Sequence, residues 1–190
     1  MVERSGFDTF ANENLPEKAL WPELILDHPA ATYPTRLNAG YELLESTIEL
    51  VGSNRLAIIA ADATLTYGEL LELVNKIGNY LKSQGVQPGN RVAIRSPNNA
   101  MAVAIWLAVI RLGAIVVTTI PLQRAVELEK IVEIGKVQFA LVDHRFTEEW
   151  ELISNYRGRT LVFGGATQFI EEINKESPEF EVYDTAADDV

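Results

Sequence analysis

Residues 101–122 read MAVAIWLAVIRLGAIVVTTIPL, and how this stretch is divided decides the fold. A membrane-spanning helix needs about 20 predominantly apolar residues. Here Arg111 interrupts the run, Gly113 follows at once and Pro121 closes it. The stretch divides better into a buried helix from about Asn99 to Leu112, ended by Gly113 in the left-handed conformation that glycine adopts without penalty. Trp106 lies within this helix and is expected to be core. Ala114–Thr119 then supplies a β-branched run that is apolar on both faces, the pattern of a central strand covered by helices on each side.

The same grammar extends outward. Leu56–Ala60 reads as a short apolar strand. Thr66 and Glu69 have the spacing of a capping box, in which each side chain satisfies an amide at the helix start. Leu70, Leu73, Val74, Ile77 and Leu81 then recur at helical spacing. Gly85 ends that helix, Pro88-Gly89 turns the chain, and Arg91–Ser96 reads as the next strand. Beyond Pro121 the pattern predicts a helix at Ala125–Ile134, a strand at Phe139–Val142, a helix at Thr147–Asn155 and a strand at Thr160–Phe163. Alternation of this length predicts a doubly wound α/β fold with a mostly parallel sheet. Residues 1–37, with Pro16, Pro22, Pro29 and Pro34, read as an extended arm, and residues 38–190 as the α/β unit, entered through a helix near Asn38–Val51.

Composition narrows the function. Of 190 residues, 47% are hydrophobic and 23% charged, which fits an ordinary globular chain. There is no cysteine, which excludes disulfides, thiolate metal sites and a cysteine nucleophile. The net charge of −11 is concentrated at the two ends, and no basic patch stands out to meet nucleic acid or an anionic membrane. No basic stretch leads into an apolar run at the start, so a cytoplasmic protein is expected.

In an open parallel sheet, ligands bind beyond the carboxyl ends of the strands. Those ends carry Ser96-Pro97-Asn98-Asn99, Thr118-Thr119-Ile120-Pro121, Asp143-His144-Arg145 and Gly164-Gly165. None matches a dinucleotide fingerprint, a Walker loop or a nucleophile elbow. The candidates for contact with a substrate are Asn98, Thr119 and His144. For Asn98 and Thr119 the competing role is loop capping; for His144, beside Asp143 and Arg145, it is an ordinary surface position. No second histidine lies at ligand spacing, so no metal site is assigned. From the residues alone, no catalytic or cofactor-binding residue is named.

A family resemblance adds to this reading. Leu65-Thr66-Tyr67-Gly68-Glu69-Leu70 resembles the LTYxEL motif of adenylate-forming enzymes, which include acyl-CoA synthetases and peptide-synthetase adenylation domains. Gly85–Ala93 resembles their PGDRVA turn and strand, with Asn90 in place of Asp. Trp106–Ala114 followed by Pro121-Leu122 resembles their LAxxxxGAxxxPL segment. Phe10-Ala11, Trp21-Pro22-Glu23-Leu24 and Pro121-Leu122-Gln123-Arg124 resemble the benzoate- and 2-aminobenzoate-CoA ligases.

The resemblance implies a carboxylate activated by ATP and Mg²⁺ to an acyl-adenylate, which CoA then captures. The family's Ser/Thr/Gly-rich phosphate loop, Tyr-Gly-x-Thr-Glu motif, ribose-binding Asp and catalytic Lys have no counterpart in the 190 residues. The chain is therefore expected to be an amino-terminal fragment, inactive alone, binding no cofactor tightly and open to self-association through an uncovered face. The alternative is a free-standing α/β binding or regulatory module derived from such ligases. A nicotinamide-dependent oxidoreductase is disfavoured by the missing glycine fingerprint.

Overall fold

The computed structural model describes residues 8–23, 25, 28 and 32–189. Helix α1 (Phe10–Glu13) leads, by way of a 3-10 turn at Lys18–Leu20, towards a longer helical stretch. That stretch comprises α2 (Ala39–Tyr41), a π-helical turn at Glu42–Ser46 and α3 (Thr47–Val51). Asn38 caps it, its Oδ1 accepting from the amides of Gly40 and Tyr41. Strands β1 (Leu56–Ile59) and β2 (Thr64–Thr66) form a small antiparallel hairpin before α4 (Tyr67–Ser83). There follow β3 (Arg91–Arg95), α5 (Ala100–Arg111), β4 (Ile115–Thr119), α6 (Ala125–Ile134) and β5 (Phe139–Asp143). A 3-10 turn at His144–Phe146, α7 (Thr147–Glu151), β6 (Arg159–Phe163) and α8 (Phe169–Ile173) complete the order.

The main sheet is parallel, with strand order β4-β3-β5-β6. Helices α4, α5 and α8 cover one face, in a core that includes Leu70, Val74, Ile77, Ile105, Val92 and Ile94. The second face holds Ala93, Ala140 and Val142 against Leu128 and Val132 of α6 and Trp150 of α7. The fold class is thus the doubly wound α/β arrangement that the alternation of elements predicts.

Local chemistry explains the helix ends. The Thr66 amide donates to Glu69 Oε2 at 2.8 Å, and the Glu69 amide to Thr66 Oγ1 at 3.3 Å, a closed capping box. Asn99 Oδ1 accepts from the Ala102 amide at 2.8 Å and starts α5. Gly113 has φ +72°, and an added Cβ there would stand 2.5 Å from Tyr183 Cδ1. The predicted helix stop is therefore doubly enforced, by backbone conformation and by space.

Two expectations need correction. β4 is an edge strand among the described residues, and it is β3 that is buried at every position. Apolarity on both faces reports cover from helices; strand order, a long-range property, decides which strand has two neighbours. Trp106 is 38% exposed and so is not a core residue. Leu56–Ile59 is a strand, as its apolar run predicts, but it stands outside the parallel sheet. It turns back at once onto β2, leaving Leu56 and Ile59 exposed. In addition, α7 stops at Glu151, short of the predicted Asn155, and α8 was not foreseen; its Phe169 and Ile173 are buried.

Candidate functional site

The connections from β3 to β4 and from β4 to β5 run in opposite directions across the sheet, so the topology switches between β3 and β5. At such a switch the loops diverge and leave a crevice at the carboxyl edge. Arg95, the last residue of β3, stands there with only 1% of its surface exposed. Its Nε donates to the Phe146 carbonyl at 3.0 Å, and its Nη1 to the Ile120 carbonyl at 2.9 Å. Its Nη2 donates to the carbonyls of Pro121 and Gln123, each at 3.0 Å. Burial holds the guanidinium's pKa below its ordinary value, with the charge of Glu149 acting the other way.

On the next strand Asp143 is buried and accepts three bonds from Arg145: from its amide at 3.0 Å, Nε at 2.9 Å and Nη2 at 2.8 Å. Burial by itself would raise the Asp143 pKa; these donors outweigh it and hold the carboxyl below its ordinary value. His144 is exposed and lies against Gly164 and Gly165 at the end of β6. A Cβ on Gly165 would come within 2.8 Å of the ring, so small residues there make room for the imidazole.

Between the ends of β3 and β4 is a cavity of about 280 Å³, lined by Ser96, Asn98, Val103, Trp106 and Thr118 among others. Asn98 is exposed on its rim. Thr119 does not reach the cavity: it is buried, and its hydroxyl donates to the Ile94 carbonyl at 3.2 Å. His144 follows β5, on the far side of β3 from that cavity. All three sequence candidates therefore lie on the carboxyl edge, but the structure does not gather them into one cavity. Sequence reasoning missed Arg95 and the exposed Trp106. The available signal for Arg95 was a second cation closing a strand that is apolar between its two arginines, RVAIR.

A larger cavity, about 770 Å³, opens at the opposite edge, near Lys136, Arg157 and Arg159. Arg157 there already donates to the carbonyls of Ser154 and Tyr156, and Arg159 to that of Gln84. The amino edge of a parallel sheet is not where such folds hold ligands, so the smaller crevice carries the argument.

No group of three or more His, Asp or Glu suited to a metal ion occurs among the described residues. The cations near the carboxyl edge are already engaged: Arg95 by carbonyls, Arg145 by Asp143, and Arg124 by Glu149 at 2.6 Å.

A model of the AMP-binding enzyme family matches residues 46–186. The chain belongs to this family. Relatives of this AMP-binding enzyme chain include the 3-oxocholest-4-en-26-oate–CoA ligase of Rhodococcus rhodochrous, 28% identical over 78% of the chain and 29% of the ligase. The 3-hydroxybenzoate–CoA ligase of an Aromatoleum species is 27% identical over 62% of the chain and 23% of its own length. Among solved structures, that of the anthranilate CoA ligase AuaEII, in complex with anthranoyl-AMP, shares the fold. Its TM-score is 0.74 at 23% identity, over 85% of this chain and 32% of that one. The chain thus spans less than a third of the proteins it matches. No helix among the described residues is long and apolar enough to cross a membrane.

Proposed function

We propose that this chain, with residues 1–37 as its arm and 38–190 as its α/β unit, is the first part of an ATP-dependent acyl- or aryl-CoA ligase of the cytoplasm. The observation that carries this reading is the family match over residues 46–186 together with CoA ligases among its relatives. In the whole enzyme a carboxylate oxygen attacks the α-phosphorus of ATP, and pyrophosphate leaves with the β- and γ-phosphates. The CoA thiol then adds to the acyl carbon, loses its proton, and AMP departs. ATP, Mg²⁺ and CoA are thus reactants or cofactors of the whole enzyme. Its acid is aromatic by analogy with the 3-hydroxybenzoate and anthranilate ligases.

The 190 residues alone hold none of these cofactors tightly and do not turn over, since their carboxyl-edge cations are engaged internally and no lysine-bearing phosphate loop is among them. What they contribute is the scaffold side of the crevice. Exposed Ile120, Leu122 and Val126 near that edge also favour weak self-association of the isolated chain.

The test is carboxylate-dependent exchange of labelled pyrophosphate into ATP, run with benzoate-type acids. No exchange is expected from the 190-residue chain and ready exchange from the full-length enzyme. Exchange by the short chain would end the claim that it is silent. A native reading frame that stops after Val190, with no ligase remainder encoded nearby, would replace the ligase reading with that of a binding module.

A further inference from the structure

We propose that Arg95 is a positioning residue for the ligase, clasping the exit loops of β4 and β5 into the one arrangement that lets the carboxyl edge of the sheet accept substrate. This rests on the ligase reading above. Arg95 closes β3 at the switch point, and its four hydrogen bonds divide between the exit loops of the two strands on either side of it. Three go to Ile120, Pro121 and Gln123 after β4, and one to Phe146 after β5.

The first loop is folded on itself. The Ile120 amide donates to Gln123 Oε1 and the Gln123 amide to the Ile120 carbonyl, so the turn is set locally while Arg95 joins it to the rest of the edge. A second fastening between α6 and α7 lies further out. There Glu149 accepts from Arg124 and from the Ala125 amide, with Arg124 largely exposed. Exposed pairs of this kind contribute little, which leaves the inner clasp to Arg95.

A cation in this position is a poor way to fill a core. Its guanidinium forms no hydrogen bond to a carboxylate, and an aliphatic residue continuing the face of Ala93 would avoid the desolvation of a charge. What arginine provides and lysine cannot is a planar fork whose N–H groups diverge towards several acceptors at fixed angles. The residue is thus suited to geometry more than to stability. Its loss should loosen two loops while α4 and α5, which pack elsewhere, stay ordered.

If the loops then sample other arrangements, the competent crevice is only a fraction of the population. Apparent affinity falls by that fraction, while the bound complex, once formed, is the clasped one. The kinetic signature is a raised KM for the carboxylate with kcat nearly unchanged. Simple loss of folded enzyme would instead lower kcat and leave KM alone.

Arg95→Lys keeps the charge, and Arg95→Gln keeps two donors without it. In the 190-residue chain, hydrogen exchange of both variants should be at least about tenfold faster at residues 120–124 and 144–147, with α4 and α5 unchanged. In the full-length enzyme, KM for the carboxylate should rise about tenfold or more with kcat within about twofold of the parent. Uniformly faster exchange, no change in the loops, a kcat loss at constant KM, or failure of both variants to fold would each overturn the proposal. A parent enzyme without pyrophosphate exchange would refute the ligase reading instead, and the exchange pattern would then decide the clasp alone.

Discussion

Arg95 and Arg111 are each 1% exposed, yet they are built into opposite kinds of surroundings. Arg95 donates to backbone carbonyls in two loops at the open edge of the sheet. Arg111 sits where the helices meet. Its Nη1 pairs with the Glu45 carboxylate of the π-helical turn, and its Nη2 donates to Asn75 Oδ1 of α4 at 2.9 Å. The Phe180 ring lies 5.8 Å from its guanidinium, and Gly40 leaves room for its stem, since a Cβ there would come within 2.5 Å of Arg111 Cγ. Removing Arg111 strands a carboxylate partner in a helix interface, whereas removing Arg95 strands carbonyls beside solvent. The first is a matter of global stability and the second of local order.

The largest expected effect tests that contrast directly. Arg111→Met should destabilise the chain by about 3 kcal/mol or more, because Glu45 loses its counter-ion in a partly buried setting. Urea unfolding that leaves its midpoint near the parent's would break the distinction between the two arginines.

Next comes the glycine that ends the Arg111 helix. The extended segment after α8 returns over it, with the Tyr183 amide donating to the Arg111 carbonyl at 2.9 Å. Gly113→Val meets both a φ of +72° and the Tyr183 ring, and should cost about 2–3 kcal/mol. A melting temperature within a degree of the parent's would show that the returning segment yields freely.

Trp106 lies on the outer side of the same helix. Trp106→Ala should cost about 1–2 kcal/mol, well below the roughly 3–5 kcal/mol typical of a core tryptophan. A loss at the higher end would mean that the flank is covered in solution.

The smallest effect belongs to the Arg95 edge. Because the folded Asp143 pKa is lowered, its contribution is fully present above the ordinary carboxylate value of 3.8 and fades as pH falls through the folded value. Asp143→Asn should therefore lower the neutral plateau slightly and flatten that part of the acid limb below about pH 4, where variant and parent converge. An acid limb identical to the parent's would remove the Asp143–Arg145 fork from the account.

Much of this was legible locally. The Thr66–Glu69 box, the Asn99–Gly113 span and the limits of α6 follow from side chains within a turn of one another, where spacing alone fixes the chemistry. Helix α8 escaped notice because five residues with two buried apolar positions, Phe169 and Ile173, give too short a period to read. The candidate site was less legible. Asn98, Thr119 and His144 were correctly put on one edge, since strand ends are visible in sequence. Their separation was not, because the distance between strand ends depends on strand order.

What the sequence determined by itself was therefore the class of fold, the punctuation of its elements and, through matched motifs, its family. The tertiary structure decided that β3, and not β4, is central, that Trp106 faces outward, and that Arg95 reaches two loops at once. Each of these depends on which segments distant in the chain become neighbours, and a hydrogen bond from residue 95 to residue 146 leaves no trace in the local pattern around either.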